Sequence, residues 1–270
     1  MRRCLWILAL GFAVVVPAAR CQGEAADQKE LLAGVTERGR ALYDYDQCAW
    51  HGTDAILAMH PDLNGATHYI CVKTATGWRL VFPRWNARHD GLMVAFQAEG
   101  AGTSYQARAF DLPVDAGDDL LARERALELA LKDFDPPHRP YNTAILGAPK
   151  GNFYVYLYPG QTKDTVWPLG GDVRYTISGD GKKIVEKRRL HKTILDIEFR
   201  PGDAPTSGLH THVLSDVPED TDVLYVLNRR PLIPEYIGTL SGWLFVIGTD
   251  GTIASTPPCA KGNPLPCKKR

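Results

Sequence analysis

The chain has no net charge to work with. Its 31 lysines and arginines are matched by 31 aspartates and glutamates, so no long-range field draws in nucleic acid or an acidic lipid surface. The short basic runs, Lys182-Lys183 with Lys187-Arg188-Arg189 and the tail Lys268-Lys269-Arg270, are scattered and carry no aromatic stacking motif, which argues against a nucleic-acid footprint. A spanning segment is missing too. The apolar run from Cys4 to Val16 covers about thirteen residues, where roughly twenty are needed to cross a bilayer. No Gly-x-Ser-x-Gly supplies a serine nucleophile. Leu169-Gly170-Gly171 lacks the lysine and helix of a phosphate loop, and no Cys-x-x-Cys pair offers a zinc knuckle.

What is present suggests an exported globular protein. Met1-Arg2-Arg3 gives a positive start, and the apolar run ends at Pro17-Ala18-Ala19, the pattern of a secretory signal peptide over residues 1–23. Arg20 fits a lipidation box at Cys21 badly, so plain export to a periplasmic or extracellular space is the expectation. Export permits disulfides. Cys48, Cys71, Cys259 and Cys267 remain after the signal segment, and four cysteines allow three pairings. The local one, Cys48 with Cys71 and Cys259 with Cys267, closes the shortest loops.

Hydrophobic periodicity predicts helices over Gln28 to Leu42, Asp46 to Met59 and Asp118 to Phe134, and a short one over Pro218 to Leu227. Strand patterns run over 68–74, 78–85, 92–99, 105–112, 141–146, 153–158, 173–178 and 183–199, with a hairpin over 236–249. The fold class is therefore α+β, helices packed on antiparallel sheets. Its expected organisation is a unit over 24–115, a second over 116–256 and a stapled tail over 257–270. One helix followed by several antiparallel strands occurs twice, an order similar to the PepSY and cystatin-like folds. Tyr154, Tyr156 and Tyr158 alternate on one strand and so share a face. Such a row serves either sheet packing or an exposed sugar or peptide platform.

One stretch concentrates chemistry: Leu209-His210-Thr211-His212, followed by Asp216, Glu219, Asp220 and Asp222. In an extended chain the two imidazoles project from the same face, and two such histidines form half of a zinc site. A purely structural alternative exists. Asp216 and Glu219 have the spacing of a helix capping box, and Asp220 and Asp222 then favour the positive end of the helix. His51 with Asp54, and His60 with His68, are read as surface or partly buried polar residues.

The histidine stretch resembles the JAB/MPN (JAMM) metallopeptidases, whose signature is His-x-His-Pro followed by Ser-x-x-Asp at a helix start. The resemblance covers residues 180 to 255 and implies zinc on His210, His212 and Asp222, with Asp220 as the alternative aspartate. It also implies an upstream glutamate that activates the bound water, for which Glu186 and Glu198 are the candidates. Val213 stands where that family has proline, and Val217 or Glu219 where it has serine. Two functions follow. One is a binding or interaction module with a protein or peptide partner; the other is a zinc-dependent peptidase or amidase.

Overall fold

The computed structural model of the chain describes residues 18–66, 68–200 and 202–258. Residues 1–17 of the expected signal segment, and the expected Cys259–Cys267 staple, lie outside these residues, while residues 18–23 of that segment begin the first helix. Within them the fold is α+β, with three α-helices and fourteen strands in four sheets.

The first helix, α1, runs from Ala18 to Leu57, where the sequence suggests two separate helices. Nothing between Leu42 and Asp46 breaks it: Tyr43, Asp44 and Tyr45 continue the turn, and Leu42 and Tyr45 are fully buried. Packing thus overrides the weak propensity of its glycines. Gly39 has a definite task. A Cβ there would sit 2.3 Å from Val223 Cβ and 2.8 Å from the Asp220 carbonyl, so only glycine lets the third helix approach this closely.

Four strands, β1 (Ile70–Lys73), β2 (Trp78–Trp85), β3 (Leu92–Ala101) and β4 (Ser104–Asp115), form an antiparallel meander. After α2 (Gly117–Asp133) come β5 (Tyr141–Gly147), β6 (Phe153–Pro159), β7 (Val166–Gly170) and β8 (Val173–Ile177). The run expected as one strand over 183–199 is two, β9 (Ile184–Arg189) and β10 (Ile194–Glu198). The sheet β5-β6-β8-β9 ends at the break, and β10 leaves to pair with β7 alone. The sequence reading missed β7 because Pro168 interrupts it. A two-stranded ribbon tolerates that proline, since each strand has one side without a ladder.

The last sheet holds β11 (Gly208–His212), β12 (Glu235–Thr239), β13 (Leu244–Ile247) and β14 (Ile253–Thr256), in that order. Strand β11 pairs parallel with β12, and α3 (Asp220–Asn228) is the crossover between them. The remaining pairs are antiparallel. Strand β14 was not foreseen.

Two cores result. The larger takes Leu42, Tyr45 and Ile56 from α1, Ile70 and Leu80 from the meander, Leu127 from α2 and Val155 and Tyr175 from the central sheet. It therefore draws on both sides of residue 116, the expected boundary between units. Tyr156 and Tyr158 are buried in it rather than displayed. Cys48 and Cys71, expected to bridge, lie there as neighbouring buried thiols without a bond between them. Burial, then the contact with Cys48, push the Cys71 thiol well above its ordinary value. The smaller core joins Leu32 and Val35 of α1 to Val223 and Val226 of α3 and to Ile237, Phe245 and Ile247. Helix α1 belongs to both.

Candidate metal centre

Strand β11 is an edge strand with a clean alternation: Leu209 and Thr211 face outward, while His210 and His212 are buried on the side of α3. The two imidazoles thus share a face, as the two-residue period requires. Asp222, in the first turn of α3, is fully buried opposite them. Its Oδ1 lies 3.3 Å from His210 Nε2 and its Oδ2 lies 3.1 Å from His212 Nε2.

A third imidazole completes the group. His191 occupies the break between β9 and β10, with Nε2 3.1 Å from Asp222 Oδ1 and 3.0 Å from His212 Nε2. One ligand atom from each of the four residues falls within 4.8 Å of all the others. Tetrahedral zinc with nitrogen and oxygen ligands at about 2.0 Å has ligand–ligand edges of about 3.3 Å. The four contacts of 3.0–3.3 Å lie close to that length, and they engage both oxygens of Asp222.

Every Nδ1 is already committed. His191 Nδ1 meets Asp172 at 2.8 Å, His210 Nδ1 meets Glu235 at 2.9 Å, and His212 Nδ1 meets the Val217 carbonyl at 2.9 Å. Such partners fix each ring and leave Nε2 to face the centre, the usual arrangement behind metal-bound histidine. His210 Nε2 and Asp222 Oδ1 are buried and lack a well-formed hydrogen bond. Unsatisfied polar atoms in an interior are uncommon and call for an occupant or a reason. A cavity of about 50 Å³, lined in part by His191, His210 and His212, opens beside the group.

The electrostatics favour a cation. Burial opposes a charged His191, but the carboxylates of Asp172 and Asp222 outweigh it and raise its pKa to about 11. Burial likewise opposes His210, and the neighbouring carboxylates of Asp222 and Glu235 raise it to about 9. For Asp222, burial is overcome by the charges of His191 and His212, which hold it well below the ordinary carboxylate range. With neutral imidazoles, Asp172, Asp222 and Glu235 less the guanidinium of Arg229 leave two negative charges, the complement of a divalent ion.

The backbone around the site is built for close approach. Gly170 and Gly171 both have positive φ. A Cβ at Gly170 would meet the Thr193 carbonyl at 2.5 Å and His191 Cβ at 3.0 Å, and one at Gly171 would meet Ile194 at 2.1 Å. The pair that fails as a phosphate loop is what lets the His191 turn sit against Asp172. Gly208 leaves room in the same way for Glu235, whose other oxygen binds the fully buried Arg229.

The other expected residues go elsewhere. Asp220 faces away from the histidines and is held by Arg38, Arg174 and the Tyr156 hydroxyl at 2.7–2.9 Å. Glu186 is exposed and accepts from Thr176 Oγ1, and Glu198 is exposed beside Arg200. Neither contacts an imidazole. The capping box lies three residues later than expected because α3 starts at Asp220. Glu219 is the N-cap, and its N–H donates to Asp222 Oδ2 at 2.7 Å, while Asp216 is exposed. Asp222 therefore serves the helix start and the histidine cluster together. His68, expected as a partly buried polar residue, bonds the buried Glu124 at 2.8 Å.

Sequence reasoning missed His191, Asp172, Glu235 and Arg229. The one signal for His191 was Leu190-His191 inside an otherwise charged run. No protein-family model, curated protein or solved structure matches the chain.

Proposed function

We propose that the protein is an exported binding module whose C-terminal part is organised by one divalent transition-metal ion, zinc by preference. The ligands are His191, His210, His212 and Asp222. The observation that carries this reading is the convergence of three buried Nε2 atoms on one carboxylate, with each opposite Nδ1 already held. Three imidazoles and a carboxylate gathered this closely suit zinc among the common divalent ions. Four protein ligands fill a tetrahedral shell, the habit of structural rather than catalytic sites. Such an ion would tie the His191 turn, β11 and α3 together.

A second reading, a zinc-dependent peptidase or amidase of the JAMM type, draws support from the cavity beside the imidazoles, which has room for water. It lacks a base, since Glu186 and Glu198 make their contacts elsewhere. One experiment separates the readings. The protein is purified without chelator, its metal content measured, and the measurement repeated on His191→Ala and His210→Ala; amide hydrolysis by the metal-loaded parent is assayed alongside. Stoichiometric zinc that both variants lose, without hydrolysis, is the expected result. A metal-free parent overturns the metal centre, and zinc-dependent hydrolysis replaces the binding reading with the enzymatic one.

A further inference from the structure

A second cavity, of about 260 Å³, lies between α1, the β6–β7 region and α3. Trp50, Tyr158, Trp167 and Tyr225 supply aromatic surface, and Asp46, Asp172, Thr221, Arg230 and several side-chain amides are the polar groups among them. This is the composition of a small-molecule site: apolar walls with a few fixed polar groups.

Asp46 differs from the other interior carboxylates. Asp220 is paired with two arginines, Glu219 with Arg188, Glu235 with Arg229, and Glu124 with His68. Asp46 accepts from the Tyr158 hydroxyl at 2.8 Å and from Asn228 Nδ2 at 2.9 Å, both neutral donors. It has no cationic partner among the described residues. Arg230 also lines the cavity, but its Nη1 is bound to the carbonyls of Leu227, Asn228 and Arg229. Burial pushes the Asp46 carboxyl above its ordinary value, the direction opposite to that of a neighbouring positive charge. Thr221 gives an independent sign. It is 6% exposed, it lines the cavity, and its hydroxyl oxygen is buried without a partner.

We infer that this cavity binds an organic ammonium group carried on an apolar or aromatic stem, with Asp46 as counter-charge and the aromatic side chains around the stem. An ammonium has three N–H donors and no acceptor, which suits the free lone pairs of Asp46 and the idle oxygen of Thr221. A cation on an indole or phenol face gains further attraction. A neutral polyol would leave Asp46 without a counter-charge, and an anion would face it directly. The inference rests on the binding-module reading; Asp46 belongs to α1 and is no candidate ligand, although Asp172, the partner of His191, lines the far side of the same cavity. A free amine and a lysine side chain share this chemistry.

The test is a titration of the full-length protein with benzylamine and, separately, with benzyl alcohol, followed by tryptophan fluorescence, since Trp50 and Trp167 line the cavity. The amine is expected to bind saturably and at least about tenfold more tightly than the alcohol. Asp46→Asn is expected to erase that preference. Trp50 is 60% exposed, so Trp50→Ala leaves the fold intact and weakens the amine several-fold even if Asp46→Asn does not fold. Equal binding of amine and alcohol, or no saturable response in the parent, overturns the inference. Nα-acetyl-lysine amide compared with benzylamine assigns the natural source to a peptide side chain or to a free amine. His210→Ala separates this site from the metal centre: it loses metal and retains the amine preference, whereas failure of the cavity shows in metal-replete protein.

Discussion

At the scale of single residues, Gly39 sets the spacing on which the candidate centre depends. Gly39→Ala places a methyl against Val223 and the backbone of α3, and overpacking of this kind costs about 1–3 kcal/mol. Thermal unfolding is expected to show that loss. Because Asp222 rides on the same helix, the variant is also expected to hold its metal less tightly. A glycine in a helix reads from sequence only as a weakness of about 1 kcal/mol, since the helix it faces is 184 positions away. The histidine pair was legible for the opposite reason. Alternation along one strand is a local property, so His210 and His212 could be placed on one face without knowing the fold. His191 could not, because its position depends on the turn between β9 and β10, which Gly170 and Gly171 at the end of β7 allow to pack closely.

At the scale of elements, the first turn of α3 divides two neighbouring aspartates between different tasks. Asp220 neutralises Arg38 and Arg174, and Asp222 meets the imidazoles. Asp220→Asn strands two guanidiniums and is expected to cost about 3 kcal/mol in denaturant unfolding while leaving metal content unchanged. Asp222→Asn is expected to lose the metal. The reverse pattern would reassign the ligand. Spacing favours Asp222 with Asp220 as the alternative, and the direction of the helix relative to β11 is what places Asp222 against the histidines. Element type was otherwise largely legible from periodicity. The exceptions have physical causes: α1 continues through its glycines because both cores hold it, and β7 contains a proline that pattern reading takes as a stop.

At the scale of the whole molecule, α1 is the common wall of the two cores, and the candidate ligands lie where they meet: Leu190 beside His191 belongs to the larger core and Val223 beside Asp222 to the smaller. Removal of the ion with a chelator is expected to speed hydrogen exchange in β11, α3 and the His191 turn, and to leave β5, β6 and β8 protected. Uniform loosening of both cores would contradict a local organising role. That helices pack on sheets was readable from the order of patterns. Which sheet meets which helix was not, because long-range pairing such as β10 with β7 leaves no trace in local sequence.

The shared duty of Asp222 has one further consequence. Its carboxylate is oriented by the start of α3, through the Glu219 N–H, before any ion arrives. The three rings are likewise fixed by their outer partners. An ion would then meet ligands whose side chains are already oriented, so its affinity depends strongly on the exchange of hydration water and ring protons for ligand bonds. A site assembled this way should bind more tightly as pH rises, because each imidazole must give up its Nε2 proton to become a ligand.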